Sequence, residues 1–134
     1  MFNRNPYFDQ YFKQIAEPDE SYHYYFYVMK FASLTKHLIF QSAAPLFNSH
    51  MIVCVTNKRV IICQMDGTTG RLTGATFEAS MNEVKNISLD KGLIKTKVRI
   101  TFSDDSVAQF KPNNICIGLS NHKIHLLKLK EIYG

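Results

Sequence analysis

The chain has 134 residues, 46% of them hydrophobic, enough for one packed domain that folds alone. No window approaches the roughly 18 to 20 uninterrupted apolar residues of a membrane helix. The opening MFNRNPYFDQ lacks the apolar stretch of a signal peptide, so the protein is expected to stay in the cytoplasm. The net charge of +5 is uneven: residues 1–84 hold 7 Lys+Arg against 7 Asp+Glu and residues 85–134 hold 9 against 4, so an acidic partner is expected at the C-terminal end.

In chain order, Asn5-Pro6 reads as a cap followed by proline at the first helical position. Phe8, Tyr11, Phe12 and Ile15 then fall at helical spacing until Pro18 ends the element. Such an aromatic stripe either packs on the domain or docks a partner. Tyr22 to Phe31 is aromatic and β-branched on both alternating faces, which predicts a first strand buried on one side and at least partly covered on the other. Residues 32–50 mix Leu34, Leu38, Ile39 and Phe40 with Pro45 and Asn48-Ser49, and read as a long connection with room for one short strand.

Met51 to Met65, MIVCVTNKRVIICQM, predicts a hairpin of two apolar strands. Asn57 tolerates positive φ, so Asn57-Lys58 is the expected two-residue loop, which sets Cys54 opposite Ile61 and Cys63 one diagonal away. After the turn residues 66–70, a weaker strand is expected over 72–79, another over 84–89, and a strictly alternating one over 95–102. That alternation sends Val98, Ile100 and Phe102 inward and Lys95, Lys97, Arg99 and Thr101 outward. Residues 103–106 turn into a last strand at 107–110, and a closing helix is expected to start at Pro112-Asn113-Asn114 or at Ser120-Asn121.

A strand-rich meander followed by one helix fits an antiparallel barrel or sandwich with a helix over its open end. Three stretches carry a resemblance: the Thr56-Asn57-Lys58-Arg59 turn; Val84-Lys85-Asn86-Ile87, Lys91-Gly92 and the Val98 to Phe102 strand; and Asp104-Asp105 followed by Phe110 and the last helix. Together, from about Glu20 to Tyr133, they resemble the small bacterial pleckstrin-homology-like (PH-like) domains, including the GRAM-like ones. The sequence departs from that pattern at Asp105-Ser106, where the family has Asp-Gly, and in the length of the 32–50 connection. The implied fold class is mainly β (α+β), a PH-like antiparallel β-barrel or sandwich capped by a C-terminal helix, with an extra N-terminal helix. Residues 1–18 would be that helical extension and 20–134 the PH-like domain. Deletion of 1–17 is expected to leave a folded domain, because the resemblance begins only near Glu20; if the helix is core, the truncated protein aggregates.

No arrangement of catalytic residues stands out: there is no GxSxG, HExxH, Walker loop or GxGxxG, so no enzyme and no cofactor are expected. Cys54, Cys63 and Cys116 are odd in number, lack CxxC spacing and sit among apolar neighbours, the pattern of buried reduced thiols. His122 and His125 would share a helix face without a third metal ligand, and are expected to be solvated.

The leading expectation is a non-catalytic module for protein or peptide contact, including homo-oligomerisation through an exposed strand edge. The alternative is an anionic-ligand binder for a lipid headgroup or nucleic acid, with the lipid preferred. It would use Lys95, Lys97 and Arg99, joined by Lys85, Lys128 and Lys130. The resemblance adds Lys30, Lys36 and His37, which match in place the basic residues near the first strand loop that eukaryotic relatives use for phosphoinositides. A solvated, aggregation-resisting sheet face is the competing account of such lysines.

Overall fold

The computed structural model describes residues 3–30, 33–34, 46 and 49–134. Among these residues eight strands and two helices follow in the order α1 (Asn5–Ile15), β1 (Tyr24–Val28), β2 (Ser33–Leu34), β3 (His50–Val55), β4 (Arg59–Met65), β5 (Leu72–Ser80), β6 (Val84–Lys91), β7 (Thr96–Phe102), β8 (Val107–Phe110) and α2 (His122–Tyr133). They form two antiparallel four-stranded sheets, β1-β3-β4-β5 and β2-β8-β7-β6, stacked as a sandwich and not closed into a barrel. A 3-10 turn, Met81–Glu83, carries the chain from β5 of the first sheet to β6 of the second, with Ser80 and Glu83 forming a capping box.

The strand faces follow the alternation of the sequence. Val98, Ile100 and Phe102 of β7 are at most 1% exposed and meet Phe26, Val53, Ile62 and Phe77 of the opposite sheet in the main core. In β3 and β4 both faces are buried. Met51, Val53, Val55, Val60 and Ile62 point into the sandwich, whereas Ile52, Cys54, Ile61 and Cys63 form a second cluster on the outside with Tyr25 of β1. Phe8 and Phe12 of α1 cover that second cluster, so the aromatic stripe packs on the sheet. This explains why the hairpin is apolar at nearly every position, a pattern otherwise typical of strands between two layers.

Three local expectations change. Asn5 is the first residue of α1 and not its cap, which is Arg4. The Asn5 side chain instead donates to Ser120 Oγ, tying the helix to the segment before α2. The β3–β4 turn keeps the predicted register, Cys54 opposite Ile61, but Asp105 is the one non-glycine residue at positive φ among the described residues, so Asn57 is not. Thr56 Oγ1 closes the turn by accepting from the backbone N–H of Lys58 and of Arg59, at 3.0 Å each. Finally, α2 starts after Asn121, the second of the two predicted caps, and Leu126 and Leu129 bury it against β1 and β6.

Candidate functional site

The signature turn is a structural clamp. Arg59 is 7% exposed. Its guanidinium grips Glu20 through Nε at 2.9 Å and Nη2 at 2.7 Å, and reaches Glu78 at 3.0 Å and the Ile15 carbonyl at 2.7 Å. Thr56 Oγ1 donates to the same Glu20 carboxylate at 2.7 Å, and Asn57 holds the backbone of Asp19 and Ser21. Each residue of Thr-Asn-x-Arg thus fastens the segment between α1 and β1 to the hairpin. Burial alone would raise the Glu20 pKa, but the Arg59, Glu17 N–H and Thr56 hydrogen bonds outweigh it and hold the carboxyl at about 2.

The two histidines of α2 are not solvated. His122 is 1% exposed: its Nδ1 accepts from the Tyr27 backbone N–H at 3.1 Å and its Nε2 donates to the Asn113 carbonyl at 2.6 Å, which fixes the neutral tautomer. His125 Nδ1 lies 3.2 Å from the Tyr25 N–H and 3.0 Å from the Tyr25 carbonyl. Spaced i and i+3, they face β1 at every second residue, so imidazoles occupy the outer edge of that strand as a neighbouring strand would.

Burial lowers the pKa of both histidines. A lowered folded pKa means that the unfolded state protonates first, so stability is complete above the unfolded value of about 6.5 and falls below it. Glu20 acts in the same direction, with stability lost from about 4.5 down to about 2. We predict a melting temperature that is flat above neutrality and declines in two stages on acidification, the upper stage reduced in His122→Gln. A melting temperature unchanged between pH 7 and pH 5 would contradict the assigned tautomer.

Two of the three thiols are buried as expected, while Cys116 is half-buried and lines an open cleft, with its pKa raised by burial. Cys54 and Cys63 are buried and free, and burial pushes Cys63 up to about 12 and raises Cys54 as well. Among the described residues no three His, Cys, Asp or Glu side chains converge on a metal position.

Of the basic candidates, Lys95, Lys97 and Arg99 are exposed at the start of β7 and along it. Their cross-strand neighbours are Asp90 opposite Lys97, and Ser88 and Gln109 opposite Arg99, so one carboxylate sits beside the row. Lys85 is occupied by Asp105 at 3.0 Å, while Lys130 on α2 donates to the Leu89 carbonyl and Lys128 lies 3.9 Å from Glu131, so these three do not extend the row. Lys30, at the end of β1, lines with Lys95 and Lys111 an open cleft of about 570 Å³. Lys36 and His37 lie outside the described residues.

The sequence reading placed no residue on the other notable surface, the free edge of β5. Among the described residues β5 pairs with β4 alone, and it runs for 9 residues, LTGATFEAS, without proline or lysine. The signal was present in the composition of that stretch, but nothing local told which strands would end a sheet.

Two stacked antiparallel sheets with a C-terminal helix packed across β1 and β6, and one clamped turn, have the architecture of a PH-like domain. The bacterial PH domain family matches residues 17–115, more than half of the chain, and the protein belongs to that family. A solved structure, the hSac2 domain from human phosphoinositide phosphatase Sac2, is similar at 10% identity over 96% of this chain and 77% of that chain, with a TM-score of 0.48, a likeness too weak to carry an argument. No curated protein matches. No helix among the described residues is long and apolar enough to cross a membrane.

Proposed function

We propose that the protein is a non-catalytic binding module that self-associates by strand addition, the β5 edge of one copy pairing with the β5 edge of another. The observation that supports this is the length of that edge and its freedom from lysine and proline. Natural edge strands are blunted by lysine, proline, shortness or bulges; β5 is long and has neither lysine nor proline, and its one irregularity, between Leu72 and Thr76, leaves residues 76–80 in regular pairing with β4. Its one charge, Glu78, is held by Arg59. An identical edge on each copy is self-complementary about a two-fold axis, the commonest symmetry of soluble dimers.

The register says which amides are available. Thr56 N bonds to Arg59 O, so by antiparallel alternation Arg59, Ile61 and Cys63 direct their backbone groups to β3, and Val60 and Ile62 to β5. Their partners Ala79 and Phe77 therefore bond to β4, which leaves the N–H groups of Thr76 and Glu78 on the outer side. Thr76→Pro removes an outward donor and no ladder bond, a placement that edge strands tolerate. Sedimentation equilibrium over a concentration series is expected to show a reversible dimer for the parent and a monomer for Thr76→Pro, both melting cooperatively. A parent that stays monomeric throughout, or a proline variant that associates equally well, overturns the proposal.

A further inference from the structure

The sheet β1-β3-β4-β5 has two outer edges: among the described residues β5 lies open, whereas α2 packs along β1. The cover over β1 is made by two imidazoles. The backbone N–H groups of Tyr25 and Tyr27 point away from β3 and donate to Nδ1 of His125 at 3.2 Å and to Nδ1 of His122 at 3.1 Å. A neutral imidazole nitrogen accepts such a bond and a protonated one does not, because both ring nitrogens of an imidazolium are donors. The closed edge therefore depends on the charge of α2.

The two histidines answer a proton differently. His125 Nδ1 also lies 3.0 Å from the Tyr25 carbonyl, which accepts from it once it is protonated, and Asp9 of α1 favours the positive charge. The other groups around it are the Tyr24 and Tyr25 rings and His122. His122 has no such alternative. Its Nε2 already donates to the Asn113 carbonyl, so a proton on Nδ1 sets two donors, the ring and the Tyr27 N–H, against each other. It shares its cleft with Tyr27, Cys116, Lys30, Lys95 and Lys111, and no carboxylate is among the described lining residues. His50 stands one step further out, bonded to Tyr27 Oη at 2.6 Å. An imidazolium at 122 is thus set against a donor and among like charges.

The helix is also attached by little else. Beyond His122 it buries only Leu126 and Leu129, and it exposes Ile124, Leu127 and Ile132, whereas β1 is paired with β3 over all five of its residues.

We propose that His122 is a proton-operated latch: neutral, it seals the β1 edge beneath α2, and protonated, it releases the start of α2 and bares the backbone of β1 while both sheets stay folded. Closed, the latch leaves β5 as the open edge of that sheet. Open, it adds a second edge, Tyr24–Val28, which has neither lysine nor proline to blunt it. Burial lowers the His122 pKa from its ordinary value of about 6.5, so the open form takes up a proton that the closed form does not, and opening is favoured as the pH falls below that value.

The test is amide hydrogen exchange of the full chain, followed by NMR between pH 7 and pH 5 and corrected for the intrinsic effect of pH. Protection of the Tyr27 amide is expected to fall about tenfold per pH unit below about 6.5, the mark of one proton taken up on opening, while the amides of β7, a strand paired on both sides, keep theirs. In His122→Gln, which stays neutral, Tyr27 protection should not change over that range, and in His125→Gln the fall should remain. Protection at Tyr27 that is flat in the parent, that is lost together with the protection of β7, that falls equally in His122→Gln, or whose fall His125→Gln abolishes overturns the proposal. Should the variants not fold, the parent alone decides: the His122 ring is expected to protonate in step with the loss at Tyr27, and a His122 that protonates while Tyr27 stays protected overturns the latch.

Discussion

Ile100→Asp is expected to abolish cooperative unfolding, whereas Lys97→Ala should change stability by no more than about 0.5 kcal/mol. Ile100 is 0% exposed and pairs with Ile87 and Ala108 in the centre of its sheet, among Val98, Phe102 and Phe110. The described cluster around it is apolar, and an unpaired buried charge costs several kcal/mol on top of the lost apolar contact. Against a typical domain stability of about 5 to 15 kcal/mol, that is enough to remove the folded state. Lys97 projects from the opposite face of the same strand, and its nearest cross-strand carboxylate, Asp90, is itself exposed. Thermal melts followed by circular dichroism check both. A lysine variant as damaged as the aspartate would place β7 one residue out of register.

Removal of residues 1–17 is expected to yield an aggregating protein, although the family match begins only at residue 17. We propose that residues 1–18 form an extension to a domain spanning 20–134, one on which that domain depends for stability. Phe8 and Phe12, each 1% exposed, cover Tyr25, Ile52, Cys54, Ile61 and Cys63, and the truncation would turn that outer sheet face to water. Burial of a phenylalanine contributes about 1.5 to 3 kcal/mol, so these two account for roughly 3 to 6 kcal/mol before Tyr11 and Ile15 are counted. The truncation also removes the Ile15 carbonyl from Arg59 and the Asp9 carboxylate that accepts from Tyr25 Oη at 2.6 Å. Size-exclusion chromatography with light scattering decides the matter: a monodisperse truncated protein that melts like the parent would show that α1 is dispensable.

The features the sequence determined by itself are those set by local period and local turn chemistry. Strict alternation over 95–102 assigns faces because successive strand residues point to opposite sides, and β7 follows it with Val98, Ile100 and Phe102 inside. The β3–β4 register was legible because a short turn leaves one pairing, although Thr56, and not a left-handed Asn57, holds the turn. Helical spacing predicted the stripe of α1, and the turn motif together with the later strands carried the family resemblance.

Tertiary structure alone decided what those faces meet. The apolar outer side of β3 and β4 requires a cover, but that α1 supplies it depends on how the chain returns across the sheet. His122 and His125 share a helix face by spacing, yet their role at the β1 edge arises because α2 lands there, about 100 residues after the strand it closes. Glu20 and Arg59 are 39 positions apart with no common pattern, and Lys30 and Lys95, which flank strands of different sheets, come together at the cleft. Periodicity records which side of an element avoids water. Which groups from distant elements converge is set by the stacking of the sheets and the docking of the helices, where burial and hydrogen bonding are satisfied for the chain as a whole.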